Sequence, residues 1–175
     1  MRIQYARKQA EQLLSRLRIT GIPTPVEKVA EDLGLRVVKA KLGASVSGLL
    51  VTKGSESFIA VRDDADEAAA RVTIAHEIGH FVLGHQTPGE AVHVDNFDYL
   101  VSKMSSRGVL HGSKPKEAEA NQFAGALLMP EAQIVAWFQK RKIKSLTETG
   151  IEEFSDTFVV SIPIAMVRLN ALGYF

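Results

Sequence analysis

The amino-acid sequence predicts an α+β fold: one mainly helical domain, residues 1–175, with a small three-stranded sheet beside a helix that carries a His-Glu-x-x-His motif. Three observations indicate this class. Apolar residues recur at helical spacing in most of the chain, and three short runs have strand character. The 175 residues, 46% of them apolar, are enough for one core. The expected parts are N-terminal helices (1–34), the sheet (35–62), the motif-bearing helices with a connecting loop (65–130) and C-terminal helices (131–175).

The first part is expected to be a helical hairpin. Residues 2–18 have apolar side chains every three or four positions, with arginine and lysine between them. A stretch rich in glycine and proline, 21–25, ends this helix, and a shorter helix follows over 26–33. Gly34 is then the expected C-terminal cap, because glycine readily adopts the left-handed conformation that closes many helices.

Three strands are predicted next, at 35–39, 46–52 and 57–61, because these runs are rich in valine, leucine and isoleucine and turn-forming pieces separate them. Asp63 and Asp64 follow the third strand and can cap a long helix over 65–83, since aspartate is a favoured N-cap residue.

That long helix contains the sequence His76-Glu77-Ile78-Gly79-His80. At 100° per residue, His76 and His80 lie on one face, one turn apart, so both imidazoles can reach a single metal ion. Glu77 projects beside them, where it can take a proton from an attacking water. Two core histidines satisfied by backbone carbonyls would leave the same pattern. A third metal ligand would therefore decide between the two interpretations.

The helix that begins near Pro115 offers two candidates for this third ligand, Glu117 and Glu119. Glu117 extends the small-residue edge of the buried stripe, and Asn121 lies one turn further along on the same side. Glu117 can thus be the ligand, while Asn121 can bond the other ring nitrogen of a ligating histidine. Glu119 is the alternative ligand, and is otherwise expected to be a solvent-facing charge at the helix N-terminus.

Residues 84–114 lose regular periodicity and are expected to form a long connection, which is usually functional or disordered when it lies within a compact domain. His85 is excluded as a ligand, because nine residues past the first motif histidine it would lie on the opposite side of the helix. His93 and His111 are either surface residues or groups that hydrogen-bond a substrate carbonyl, a role that Tyr99 could also fill.

Helices are predicted over 131–140, 146–154 and 162–172. The last pair resembles a helix-turn-helix. Its single arginine, Arg168, and a net charge of +1 provide too few positive charges to bind a phosphate backbone well. We therefore do not expect direct binding to nucleic acid. With no cysteine, the chain has neither disulfides nor thiolate chemistry. No apolar run reaches the ~20 residues of a membrane span, and no signal peptide is evident, so we expect a cytoplasmic protein without membrane contact.

With both motif helices in place, the sequence resembles the ImmA/IrrE family of metallo-endopeptidases. Residues 73–81 carry the His-Glu-x-x-His block that many zincins share. Residues 117–124, running into Leu127-Leu128-Met129-Pro130, are much more particular to the family. Weaker likenesses extend over most of the chain, at 21–23, 29–34, 47–51, 59–61, 158–161 and 168–173.

The resemblance implies a gluzincin-like site with one zinc ion on His76, His80 and Glu117, and with Glu77 as general base. It also implies intracellular cleavage of a helix-turn-helix transcriptional repressor, which releases stress-response or mobile-element genes. Because family members also occur in toxin–antitoxin-like pairs, the alternative is a regulatory partner that sequesters a repressor or toxin without cutting it. The intact Glu77 argues against that alternative, since binding alone needs no base.

Overall fold

The computed structural model describes residues 2–43, 46–53, 56–85, 92–95, 115–143 and 146–174, with the backbone alone for residues 53 and 92–95. Within these ranges the chain forms seven helices and four strands, which confirms the predicted fold class. The helices are α1 (Ile3–Leu17), α2 (Val26–Asp32), α3 (Glu67–Val82), α4 (Pro115–Leu128), α5 (Glu131–Arg141), α6 (Glu148–Phe158) and α7 (Ile162–Ala171). The strands are β1 (Leu35–Ala40), β2 (Gly48–Lys53), β3 (Glu56–Arg62) and β4 (Val92–Asp95).

The N-terminal helices pack on the core as their apolar spacing predicts. One face of α1, with Ala6, Ala10 and Leu13, is fully or almost fully buried, and this helix packs against α4. Gly34 follows α2 with a φ of 77°, and its N–H donates to the Glu31 carbonyl at 2.9 Å. The predicted C-terminal cap is therefore present.

The sheet has the order β1-β3-β2-β4. Strand β1 runs parallel to β3, and β2 runs antiparallel to both β3 and β4. The three predicted strands are present, but the sheet has a fourth, β4, that the sequence did not indicate. Its residues, Val92–Asp95, alternate valine with a polar residue, but a run of four within an aperiodic stretch is too short to predict a strand. Hydrogen bonding to β2, a tertiary contact, makes them a strand.

Helix α3 is capped by a residue other than those predicted. The Asp66 carboxylate accepts a hydrogen bond from the Ala69 N–H at 2.8 Å, so the expectation that Asp63 or Asp64 caps the helix is wrong. Asp64 instead pairs with the Arg62 guanidinium, 2.8 Å from its Nε. The helix begins at Glu67, two residues later than predicted, and the cap is the residue directly before it.

Every residue of α3 from Arg71 to His80 is buried, because α4 covers this helix on one side and the sheet on another. The approach of α3 to α4 is closest at Gly79. A Cβ atom at this position would lie 3.2 Å from both the Cα and the carbonyl oxygen of Ala120 and 3.2 Å from Phe123 Cδ1. The missing side chain therefore lets α4 lie beside the His-Glu-x-x-His motif.

Two glycine-to-alanine variants should separate this packing role from helix propensity. Both Gly79 and Gly125 lie inside helices, where alanine is favoured over glycine by about 1 kcal/mol. At Gly125 the new methyl group would meet Arg168 Cδ at 3.8 Å, an ordinary contact. We expect Gly125→Ala to raise the free energy of unfolding by about 0.5–1 kcal/mol. Gly79→Ala should be less stable than Gly125→Ala by about 1–3 kcal/mol, the usual cost of overpacking. Urea denaturation measures both, and equal stabilities would contradict the close approach.

The C-terminal helices enclose an aromatic cluster. The Phe154 ring, fully buried, lies 5.2 Å from the Trp137 ring and 4.5 Å from the Phe158 ring, centroid to centroid. Phe158 belongs to α6, which ends four residues later than predicted, at a left-handed Val159 with φ 50°. Among the described residues, none of the helices has the length and apolar character that a membrane crossing requires.

Candidate metal centre

Helix α3 buries the three polar side chains of the His-Glu-x-x-His motif. His76, Glu77 and His80 are each at most 1% exposed. The two imidazoles face the same way, and their Nε2 atoms lie 2.9 Å apart. As the sequence predicts, the spacing of four residues places both rings on one side of α3.

Helix α4 brings Glu117 to these histidines. Its Oε2 atom lies 3.4 Å from the Nε2 atom of His76 and 3.4 Å from that of His80. One donor atom of each residue lies within 4.8 Å of the other two, and all three residues are buried. Ligand bonds of about 2.0–2.1 Å in tetrahedral geometry put neighbouring donors about 3.3 Å apart. The donor set therefore fits a metal ion of zinc-like size.

Strand β2 approaches the motif helix at Gly48. A Cβ atom there would overlap the Thr73 Cγ2 methyl group and would lie 3.2 Å from Glu77 Oε1. Glycine at this position thus leaves the space that the Glu77 carboxylate occupies. No role at the site was predicted for Gly48 from the sequence. The sequence feature that could have indicated this role is a single glycine within a strand, which often marks a close approach of other atoms to the backbone.

Glu119 is buried rather than solvent-facing, so the expectation of an exposed charge is wrong. Only 5% of the residue is exposed. Its carboxylate accepts a hydrogen bond from the Arg2 backbone N–H at 3.0 Å and lies 3.3 Å from His85 Nε2. Burial pushes the pKa of Glu119 up, but the Arg2 amide and His85 outweigh it and hold the pKa below its usual value. Glu119 thus points away from the group formed by Glu117 and the motif histidines.

His85 does not join the donor group, but its Nδ1 atom lies 3.1 Å from Nδ1 of His80. The position on the opposite side of the helix, which was predicted from helix geometry, does not apply to His85. Helix α3 ends at Val82, and the chain then turns at Gly84, with φ 66°. The His85 N–H donates to the His80 carbonyl at 3.0 Å in this turn. Burial lowers the pKa of His85, against the opposite influence of Glu119. Sequence reasoning missed His85 as a contact of the centre.

Asn121 is buried on α4, 6% exposed, but within the described ranges its Oδ1 atom accepts no hydrogen bond. No described histidine therefore donates to this oxygen, and the role of Asn121 beside a ligating histidine stays a prediction. Tyr99 and His111 lie outside the described residues. The His93 backbone pairs with Leu50 between β4 and β2, while its side chain is not described. The roles predicted for these three residues stay predictions.

The Arg168 side chain is buried. It is 3% exposed, and its Nε–H donates to the Met129 carbonyl at 3.1 Å. Burial lowers the pKa of Arg168 to about 10. The guanidinium of this α7 residue is therefore not placed to bind a phosphate group at the protein surface. The expectation that the chain does not bind nucleic acid directly stays a prediction.

The model of the Peptidase_M78 family, described as an IrrE N-terminal-like domain, matches residues 30–170, a range that includes both helices of the candidate centre. The chain belongs to this family. As an IrrE N-terminal-like domain it is of the metallopeptidase type, and the resemblance inferred from the two motif helices is confirmed.

The chain is also similar to a solved structure described as a Mycobacterium tuberculosis transcriptional regulator, with a TM-score of 0.53 and 14% sequence identity. The alignment covers 96% of this chain and 46% of that one, so this IrrE N-terminal-like chain spans less than half the length of the regulator. At this identity the likeness shows the fold alone. No curated protein matches the chain.

Proposed function

We propose that this chain is a zinc-dependent endopeptidase, with one zinc ion held by His76, His80 and Glu117. The observation that carries the proposal is the buried group of two imidazoles and one carboxylate, supplied by two different helices within 3.4 Å of one another. Two nitrogen ligands and one oxygen ligand are typical of catalytic zinc, which keeps a fourth position for water or substrate. Membership of a metallopeptidase-type family supports the same chemistry.

In this proposal Glu77 is the general base. A bound zinc ion would supply Lewis acidity, which polarises the scissile carbonyl and acidifies the attacking water. Glu77 takes the proton of that water as it attacks and then delivers it to the departing amine. The carboxylate is fully buried next to the ligating histidines, and Gly48 leaves room for it. A buried position strengthens its electrostatic interaction with the developing charges.

The proposed substrate is a helix-turn-helix transcriptional repressor, cut in the cytoplasm so that stress-response or mobile-element genes are expressed. The support is the resemblance to ImmA/IrrE endopeptidases, whose family is that of this chain. A solved structure of similar fold is described as a transcriptional regulator, which suits this context. Incubating a proteome-derived peptide library with zinc-loaded protein would test cleavage. Intact peptides and an intact repressor partner after prolonged incubation would favour the non-cleaving, sequestering alternative.

Metal content tests the ligand set directly. We expect about one zinc ion per wild-type chain purified with zinc, and its loss in Glu117→Ala, because the remaining two histidines make an incomplete site. Glu119→Ala removes the alternative ligand on the same helix, whose carboxylate contacts His85 instead of the donor group, so this variant can bind zinc more weakly but keeps all three ligands. It should retain the ion under saturating zinc. Mass-spectrometric metal analysis measures this, and loss of zinc with Glu119→Ala alone would move the third ligand to Glu119.

A further inference from the structure

A line of buried hydrogen-bonding groups runs behind the candidate metal centre. His80 Nδ1, on the ring edge away from Glu117, lies 3.1 Å from His85 Nδ1. On the other side of the His85 ring, Nε2 lies 3.3 Å from the Glu119 carboxylate. All three residues are at most 5% exposed. None of the proposed catalytic steps uses His85 or Glu119.

The carboxylate at one end of this line decides where the protons lie. A carboxylate only accepts hydrogen bonds, so the His85 nitrogen that faces it, Nε2, must carry a proton. In a neutral imidazole the other nitrogen, Nδ1, then has the lone pair and accepts. The group that donates to it is Nδ1–H of His80. The Nε2 atom of His80 is then left with its lone pair, and it can accept the Nε2–H hydrogen bond of His76, which at 2.9 Å is nearer than the Glu117 oxygen at 3.4 Å.

We infer that His85 and Glu119 are positioning residues, which fix His80 in the tautomer and ring orientation that a metal ligand needs. The inference rests on the proposed function, since it assigns His80 to a metal. The contact between the two Nε2 atoms of His76 and His80, 2.9 Å, agrees with it, because one of those atoms must lack a proton. Groups that bond the outer nitrogen of a ligating histidine set its tautomer and raise its basicity.

Both positioning residues are themselves held in place. Glu119 accepts the hydrogen bond of the Arg2 backbone N–H at 3.0 Å, and the Arg2 guanidinium lies 3.6 Å from its other oxygen. The His85 carbonyl accepts a hydrogen bond from Lys116 Nζ at 2.7 Å. The start of α1, the start of α4 and the turn after α3 therefore meet at this line of groups.

The test uses the full chain with His85→Phe, His85→Asn and Glu119→Ala. Phenylalanine has a ring of similar volume but cannot accept the hydrogen bond of His80 Nδ1–H, whereas the asparagine amide oxygen can replace Nδ1 as acceptor. Two quantities are measured for each protein. Nitrogen-15 NMR of the imidazoles gives the tautomer of His80 in the metal-free protein, and competition with a chromophoric chelator gives the Kd for zinc.

We expect His80 to be the Nδ1–H tautomer in the metal-free wild type and a mixture of tautomers in His85→Phe. The Kd for zinc should rise about 10–100-fold in His85→Phe and in Glu119→Ala, with part of the loss restored in His85→Asn. Thermal denaturation of the metal-free variants distinguishes this rise in Kd from a loss of stability. A structural role alone would lower Tm without changing the tautomer of His80 in the folded protein.

An Nε2–H tautomer of His80 in the wild type would overturn the inference, as would wild-type zinc affinity in both His85→Phe and Glu119→Ala. A wild-type protein that binds no zinc would instead overturn the proposed function. The tautomer of His80 in the metal-free protein and its response to His85→Phe would still decide the role of His85 in that case.

Discussion

Glu77→Gln should retain one zinc ion per chain and lose about 10²–10⁴-fold of kcat/KM for peptide hydrolysis, because general-base catalysis contributes about that factor. Glutamine has nearly the same shape as glutamate but cannot take a proton from the attacking water. His76, His80 and Glu117, the proposed ligands, remain unchanged in this variant. The measurements are metal content and the initial rate of cleavage of a peptide identified in the library.

The matched control is Glu67→Gln, which makes the same chemical change at an exposed position in the first turn of the same helix. Its cleavage rate should equal that of the wild type. If Glu77→Gln cuts the peptide at the wild-type rate with zinc bound, Glu77 is not the base. Loss of zinc in Glu77→Gln would show instead that Glu77 helps to hold the metal.

Gly48→Ala should damage both stability and catalysis. The added methyl group overlaps Thr73 Cγ2 and crowds Glu77 Oε1, so strand β2 or the side chains of α3 must move. Overpacking of this kind costs about 1–3 kcal/mol in the free energy of unfolding. A displacement of the base by about 1 Å can lower the rate by up to about 10²-fold. Urea denaturation and the peptide assay measure the two effects.

A second substitution separates the two contacts of this methyl group. Thr73→Ser removes Cγ2 and keeps the hydroxyl group, so Gly48→Ala/Thr73→Ser should be more stable than the sum of the two single changes predicts. The crowding of Glu77 remains in the double variant, and we expect its activity to recover only in part. Strictly additive free energies would mean that Gly48 and Thr73 do not meet as the structure describes.

The sequence by itself determined what depends on neighbours along one helix. Spacing by four residues placed His76 and His80 on one face of α3, because helix geometry is local. The same reasoning favoured Glu117 over Glu119 through its place at the edge of the buried stripe, and the structure brings Glu117 to both histidines. The left-handed cap at Gly34 likewise follows from local backbone preference.

Only the tertiary structure decided which groups from distant parts of the chain meet behind the centre. The distance from Glu117 to the histidines is set by the packing of α3 on α4 at Gly79. The burial of Glu119 depends on Arg2, 117 residues away, and the contact of His85 depends on where α3 ends. Sequence periodicity describes one helix at a time. Such contacts depend instead on helix ends and on close packing between elements, which no pattern along a single segment encodes.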